Sequence, residues 1–260
     1  MSTIETITSF EFNGQQLVLE TSDLDEYIKW FYIQNAGDAS WNSLTSREEK
    51  QQFANWLCKH RILEQFKLIP DPELNFSNIK KIIDVGSGVA SVDLLLSQVL
   101  PDVDFYLLDK TDINYNLGRQ PFFSKSLADP DYHGFYNSFD IVKDVIKHSP
   151  IDPGKIHFLD PADDWPNEVD LIISTFSWNW HYSKDVYWDK LMKSLKIGGY
   201  FSTTISLRKG ENTLYEISAD LGSYPCIYQP LPHTDESVDR KLLGFDQIVH
   251  TGYYTWQRMK

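Results

Sequence analysis

The stretch Lys81-Ile-Ile-Asp-Val-Gly-Ser-Gly-Val-Ala-Ser91 decides how this chain is read. It joins a short apolar run, an acid and two glycines two apart to the start of a segment with Val92, Leu95, Leu96 and Val99 at helical spacing. Gly86 permits a tight turn, and the missing side chain at Gly88 leaves room for a ligand against the backbone where the helix begins. A strand, a glycine turn and a helix in this order mark the carboxyl edge of an open α/β sheet, where ligands bind. A glycine pair alone also fits a plain strand-to-helix turn. A second residue narrows the choice: Asp109 ends the next apolar run, Phe105-Tyr-Leu-Leu-Asp, about 25 residues after Asp84, where an acid can bridge two ribose hydroxyls. Asp84, two residues before the first glycine, would repel a pyrophosphate and suits a cationic ligand. The third small residue of a dinucleotide fingerprint is met only partly, by Ser91.

Outward from this stretch the texture repeats. Apolar strands are expected at Lys81 to Val85, Asp104 to Asp109, Ile156 to Asp160, Val169 to Ser174 and Tyr200 to Ile205, and their near-continuous apolar content is that of parallel strands covered on both faces. Helices are expected from Val89 to Leu100 and from about Asp185 to Leu195, the second with Tyr187, Leu191 and Leu195 inward and closed by Gly198-Gly199. The alternation predicts an α/β, doubly wound, mostly parallel sheet over residues 79–260. Residues 112–153 are too long for a plain crossover and rich in rings, which suits an aromatic lid. Residues 1–78 read as an extension: a hairpin between Phe10 and Leu19 around Asn13-Gly14, a helix from Leu24 to about Asn35, and a longer helix opened by the capping box Ser46-Arg-Glu-Glu49. That longer helix places Phe53, Trp56, Leu57, Ile62, Leu63 and Phe66 mostly on one face and stops at Pro70-Asp-Pro72.

Composition excludes several classes. The chain carries 24 Lys and Arg against 37 Asp and Glu, a net charge of −13, so a nucleic-acid backbone is not the expected partner. Six acids against Lys155 alone lie between Ile151 and Asp170. Two cysteines, Cys58 and Cys226, build neither a disulfide framework nor a metal knuckle. No apolar run approaches the length of a membrane span, and Met1 to Phe10 lacks the pattern of a signal peptide, so a cytoplasmic protein is expected. Aromatic residues make up 14% of the chain, and they belong either to the core or to a binding site. Four of the eight tryptophans, Trp165, Trp178, Trp180 and Trp188, fall between positions 165 and 188, which leans toward a pocket.

With these residues in view, the chain resembles the class I S-adenosylmethionine-dependent methyltransferases. Their signature Asp-x-Gly-x-Gly-x-Gly/Ala is matched by Asp84-Val-Gly86-Ser-Gly88-Val-Ala90, and the resemblance runs over about residues 79 to 206 and into Gly244 to Trp256, which resembles the family's final antiparallel strand pair. It implies a Rossmann-like seven-stranded sheet. It also implies a cofactor, S-adenosylmethionine, held at Asp84, Gly86, Ser87 and Gly88 beside its methionine part, at Asp109 and the adjoining Lys110 on the ribose side, and at Ser174 and Thr175 after the fourth strand. Phe158-Leu-Asp-Pro-Ala-Asp-Asp-Trp-Pro166 resembles the stretch whose acid contacts adenine; Pro161 stands at the aligned position, so Asp160 or Asp163 takes that part.

The acceptor side is Thr175-Phe-Ser-Trp-Asn-Trp-His-Tyr182. His181 is the first candidate base and His133, in the lid, the second, because methyl transfer to oxygen needs an aligned acceptor and a group to take its proton. The order Ser177-Trp178, His181-Tyr182, Tyr187 and a later Arg208-Lys-Gly210 resembles a bacterial group of sugar O-methyltransferases, although no proline follows Tyr182. Trp178, Trp180, Tyr182 and Arg208 are the expected acceptor contacts, with Ser177 and Asn179 bonding hydroxyls. Asp163, Asp164 and Asn167 offer a superficial metal set, but on the adenine side, so no metal is expected. The expected partner is a small molecule, with neither nucleic acid nor membrane involved, and the oligomeric state stays open, a homodimer included. Two alternatives remain beside a sugar-directed O-methyltransferase: an NAD(P)-dependent oxidoreductase, which the glycine turn favours and Asp84 opposes, and a non-catalytic binding protein that keeps the methyltransferase fold.

Overall fold

The computed structural model describes residues 3–36, 46–57, 62–68, 78–109, 138–160, 162–175, 177, 187–208, 212–230 and 248–260. The strands are β1 (Glu5–Phe12), β2 (Gln15–Thr21), β3 (Lys81–Val85), β4 (Asp104–Leu108), β5 (Ile156–Leu159), β6 (Val169–Ser174), β7 (Leu195–Arg208), β8 (Ile227–Pro230) and β9 (Ile248–Gln257). The helices are α1 (Leu24–Ala36), α2 (Arg47–Leu57), α3 (Leu63–Leu68), α4 (Ser91–Val99), α5 (Phe139–His148), α6 (Trp188–Ser194) and α7 (Thr213–Leu221). Seven strands form one sheet in the order β5-β4-β3-β6-β7-β9-β8, parallel except that β9 runs antiparallel to both β7 and β8. This is the doubly wound, mostly parallel architecture expected, and all five core strands lie where the apolar runs placed them. None of the described helices is long and apolar enough to cross a membrane.

Contacts divide the chain into two compact units. One compact unit comprises Met1–Asn78, Ser87–Gln120 and Phe135–Pro161, and the other Ile79–Gly86, Pro121–Gly134 and Ala162–Lys260. The physical reason is visible in the first unit, where the N-terminal hairpin is stitched to α4 and α5. Gln98 on α4 donates from Nε2 to the Val18 carbonyl at 2.8 Å and accepts from the Val18 amide at 3.1 Å, so one side chain completes the open edge of β2. Asp144 on α5 accepts from the Thr21 hydroxyl at 2.6 Å and from the Ser22 amide and hydroxyl at 2.8 and 2.7 Å. Burial pushes the Asp144 carboxyl up, but these bonds and the neighbouring His148 outweigh it and hold the group below the usual carboxylate range. The hairpin turns at Asn13 and Gly14, both at positive φ (48° and 78°), as a two-residue turn of this hand requires.

Within the same unit the capping box is made as the sequence predicts: the Glu49 amide donates to Ser46 Oγ at 3.1 Å, and the Ser46 amide to Glu49 Oε2 at 2.9 Å. Of the longer helix expected from Ser46 through Phe66, α2 and α3 are described, and residues 58–61 between them lie outside the described residues. Ile62 and Phe66 are fully buried, but Trp56 is 50% exposed, so the expected inward face does not hold there. Residues 112–153 are not all insertion. Their last third contains α5, whose Val142, Val145 and Ile146 are buried at helical spacing, and this is the crossover from β4 to β5.

The second unit is organised around Asp170 in β6. Its Oδ2 accepts from the amides of Lys80 and Lys81 at 2.7 and 2.8 Å, and its Oδ1 pairs with the Lys196 ammonium. One carboxylate therefore ties the start of β3 to β6 and to the start of β7. Burial pushes the Asp170 carboxyl up, but the Lys196 ion pair and the two amides outweigh that and hold it below its ordinary range. The expected cap at Gly198-Gly199 is corrected here. α6 ends at Ser194, and both glycines sit inside β7, where Gly198 (φ 85°) donates to the Arg258 carbonyl at 2.7 Å. A Cβ on Gly199 would stand 3.0 Å from the Asp170 carbonyl, so close approach to β6 is what this glycine serves.

One face of β7 and β9 is aromatic. Phe201 and Trp256 stack at 6.0 Å, Trp188 meets Phe201 edge-on at 5.9 Å, and the Trp256 indole donates to Ser218 Oγ at 3.0 Å. Tyr254 lies beside Trp256, and burial, then the neighbouring Tyr228, pushes its phenol up to about 12. Trp188, expected near the acceptor site, is half-buried against Phe201 and donates to Asp220 at 2.9 Å.

The Asp170 clamp sets an expectation for acid stability. A folded pKa below the unfolded value gives stability that is fully present above the unfolded pKa, roughly 3.9, and is lost as pH falls through the folded pKa. Asp170→Ala should cost about 2 kcal/mol or more near neutrality, because it orphans two amides and an ammonium. The Tm difference from the parent chain should shrink below about pH 4, and a difference independent of pH would exclude a stabilising role for the carboxylate charge.

Candidate functional site

The turn after β3 is built from residues at positive φ: Gly86 at 82°, Gly88 at 58° and Ala90 at 53°. The first two are glycines because left-handed backbone is costly for any side chain; Ala90 tolerates it as the smallest alternative, immediately before the first turn of α4. Three backbone donors of the turn are used within the first unit, among them the Ala90 amide, which donates to the Ser87 carbonyl at 2.8 Å. The Ser87 amide donates to the Leu108 carbonyl at 3.2 Å, and the Gly88 amide donates to Asp109 Oδ2 at 2.7 Å. Asp109 is thereby held at the mouth of the turn from the end of the neighbouring strand in the sequence of crossovers. Ser87 Oγ is buried, and it has no hydrogen-bond partner among the described residues. Tyr27 on α1 and Ser91, the first residue of α4, share a buried hydroxyl contact at 2.5 Å that anchors the start of that helix.

In the second unit Asp84 is 4% exposed at the end of β3, an acid deep in an apolar strand. Gly86 serves a second purpose beside the tight turn that its φ of 82° requires. A Cβ there would stand 1.8 Å from Ser177 Oγ, so the space over this glycine holds the Ser177 side chain, from the segment after β6. Ser174, expected at the cofactor, is fully buried; its hydroxyl donates to the Val85 carbonyl at 2.7 Å, and Thr203 Oγ1 donates to the Ser174 carbonyl at 3.0 Å. Ser174 therefore braces the carboxyl ends of β3, β6 and β7, and of the expected pair only Thr175 is partly open to solvent.

Asp160 is exposed at the end of β5 in the first unit. Asp163 and Asp164 are exposed in the second, where the Lys190 ammonium donates to the Asp163 carbonyl at 2.8 Å and Trp165 is buried against Tyr187 at 5.7 Å. Trp165 is thus a packing residue by its ring. No group of three or more His, Cys, Asp or Glu that could hold a metal occurs among the described residues. Lys110, His133, Trp178, Asn179, Trp180, His181 and Tyr182 lie outside the described residues, and of Arg208 only its backbone in β7 is described. Two features were missed in the sequence: the seat of Ser177 over Gly86, and the buried hydroxyls of β7 and β9, which the run Ser202-Thr203-Thr204 in an otherwise apolar strand already signals.

Solved structures share this fold. The StiE O-methyltransferase matches with a TM-score of 0.50 and 12% identity, over 89% of this chain and 82% of that one. The S-adenosylmethionine-dependent methyltransferase SibL in its apo form matches at 0.46 and 10%, over 85% and 62%. M. jannaschii TYW2 in complex with AdoMet matches at 0.46 and 10%, over 97% and 86%. The chain thus spans about three-fifths of SibL's length. No protein-family model and no curated protein matches. At these identities the likeness is one of fold, and the fold is the Rossmann-like fold of class I methyltransferases.

The Gly86 contact is checked by a pair of variants. Gly86→Ala should destabilise by about 2–3 kcal/mol, from the left-handed backbone and the clash together. Adding Ser177→Gly should restore the part due to the clash and leave about 1–2 kcal/mol. Strictly additive losses in denaturant melts would show that the two residues do not share this space.

Proposed function

We infer that the chain is an S-adenosylmethionine-dependent methyltransferase acting on an oxygen of a small hydroxylated acceptor such as a sugar. The observation that carries the cofactor reading is the glycine turn with its two acids: Asp84 buried before it and Asp109 bonded to the Gly88 amide. A buried carboxylate disfavours a pyrophosphate and favours a cation, which argues for a sulfonium cofactor over a nicotinamide dinucleotide. The residues fit the group. Gly86, Ser87 and Gly88 would lie along its methionine part, Ser87 Oγ being a buried hydroxyl still able to take a partner. Asp109 would take the ribose hydroxyls, with Lys110 adjoining, and Asp160 or Asp163 the adenine. When bound, the cofactor supplies a methyl group on a positively charged sulfur, open to in-line displacement.

The chain's own part is alignment and proton removal. His181 would take the acceptor's hydroxyl proton on a ring nitrogen, with His133 as the alternative base, and Trp178, Trp180 and Tyr182 would lie against the apolar face of the acceptor, with Arg208 at its rim. The fold shared with the StiE O-methyltransferase supports the reaction class at the level of architecture. A non-catalytic binding protein on the same fold predicts cofactor binding without transfer.

Two measurements test this reading. Calorimetry with S-adenosylhomocysteine should show binding, and Asp109→Ala should weaken it about tenfold or more; absence of binding at millimolar concentration would sink the cofactor assignment. His181→Ala should lower turnover about 10²-fold or more while leaving S-adenosylhomocysteine affinity unchanged, and unaltered turnover would reject His181 as the base.

A further inference from the structure

The two faces of β7 and β9 differ in chemistry. Opposite the aromatic face, Ser202, Thr204, Tyr253 and Thr255 point to one side, and each is only 1% exposed. Ser202 stands beside Thr255, and their hydroxyls bond at 2.9 Å; Thr204 stands beside Tyr253. The same face continues through Ile173, which pairs with Ser202, to Asp84, which pairs with Ile173. The buried hydroxyls therefore share a sheet face with the acid of the glycine turn. Thr204 lies one residue past the level at which β6 ends, since Ser174 pairs with Thr203, so it sits on the carboxyl edge where an α/β sheet receives ligands.

Thr204 Oγ1 is the group in this row that bears on the ligand edge. It is buried, and among the described residues it has no hydrogen-bond partner. A buried hydroxyl without a partner costs free energy, and valine, of nearly the same shape and at home in a strand, would avoid that cost. We propose that the Thr204 hydroxyl is a specificity-determining contact for the acceptor, and that the acceptor is a neutral, hydroxyl-bearing molecule. The proposal rests on the methyltransferase reading and deepens it. A hydroxyl both donates and accepts, which an alcohol or phenol answers in kind. The Asp84 carboxylate lies on this face, and its charge disfavours carboxylated or phosphorylated acceptors beside it.

The test follows labelled methyl from S-adenosylmethionine into neutral monosaccharides, simple phenols, and the carboxylated or phosphorylated counterparts of each, using the full chain and its Thr204→Val and Thr204→Ser variants. S-adenosylhomocysteine calorimetry on all three separates failure of the cofactor reading from failure of this proposal. Expected are transfer to a neutral hydroxyl compound, sugar or phenol, and a KM for it raised tenfold or more in Thr204→Val. Thr204→Ser should restore that KM. Cofactor affinity should be unchanged throughout, and the Tm of Thr204→Val should be equal or higher. An unchanged KM in Thr204→Val, a preference for the charged counterparts, or cofactor binding without transfer to any neutral hydroxyl compound overturns the proposal.

Discussion

The hydrogen bond from the Gly88 amide to the Asp109 carboxylate is the constraint around which the ligand edge of the first unit is arranged. It forms only if the turn after β3 takes left-handed backbone at Gly86, Gly88 and Ala90, so that the amide at 88 faces outward instead of into a helix. It also needs β4 to end at Leu108, whose carbonyl takes the Ser87 amide one residue earlier. α4 must then begin directly after the turn, and the Tyr27 to Ser91 contact holds its first residue while Gln98 ties its last turn to β2. The N-terminal hairpin is thus part of the support of the turn, which is why contacts assign it to the same unit as α4.

The second unit solves a different problem, aligning parallel strands that share no hairpin. Asp170 does this at the amino ends, by gathering Lys80, Lys81 and Lys196, and Ser174 does it at the carboxyl ends, by binding the Val85 carbonyl. Between these two braces the sheet presents unlike faces over β7 and β9. Rings fill one, with Trp188, Phe201 and Trp256 packed on one another; hydroxyls line the other. The aromatic excess of the composition is accordingly divided, with at least Trp165, Trp188 and Trp256 spent on packing.

Much of the fold was legible because its signals are local or periodic. β3, β4 and β6 read as continuous apolar runs because strands buried on both faces tolerate few polar side chains. Asn13-Gly14 and Ser46-Arg-Glu-Glu49 encode a turn and a cap through their own backbone and side-chain bonds, so neighbours elsewhere in the chain do not alter them. Gly198-Gly199 misled because a glycine pair serves a helix end and a close strand approach equally well, and only the position of the Asp170 carbonyl distinguishes them. α5 was hidden within a ring-rich stretch, and Trp56 was placed inward by a pattern that says which face is apolar and not whether anything covers it.

For the candidate site the division is sharper. Sequence alone determined the chemistry of the glycine turn: two acids, two glycines and a small third residue at fixed spacing specify a left-handed turn between strand and helix. Tertiary structure decided what each group spends its bonding on. Ser174, adjacent in sequence to the acceptor loop, is consumed by Val85; Gly86 makes room for Ser177; and Thr204, which no motif marks, keeps a buried hydroxyl on the ligand edge. Spacing along a chain fixes which residue types lie near a strand end, whereas hydrogen-bond saturation depends on partners some 30 to 90 residues away, brought within 3 Å only by the sheet register.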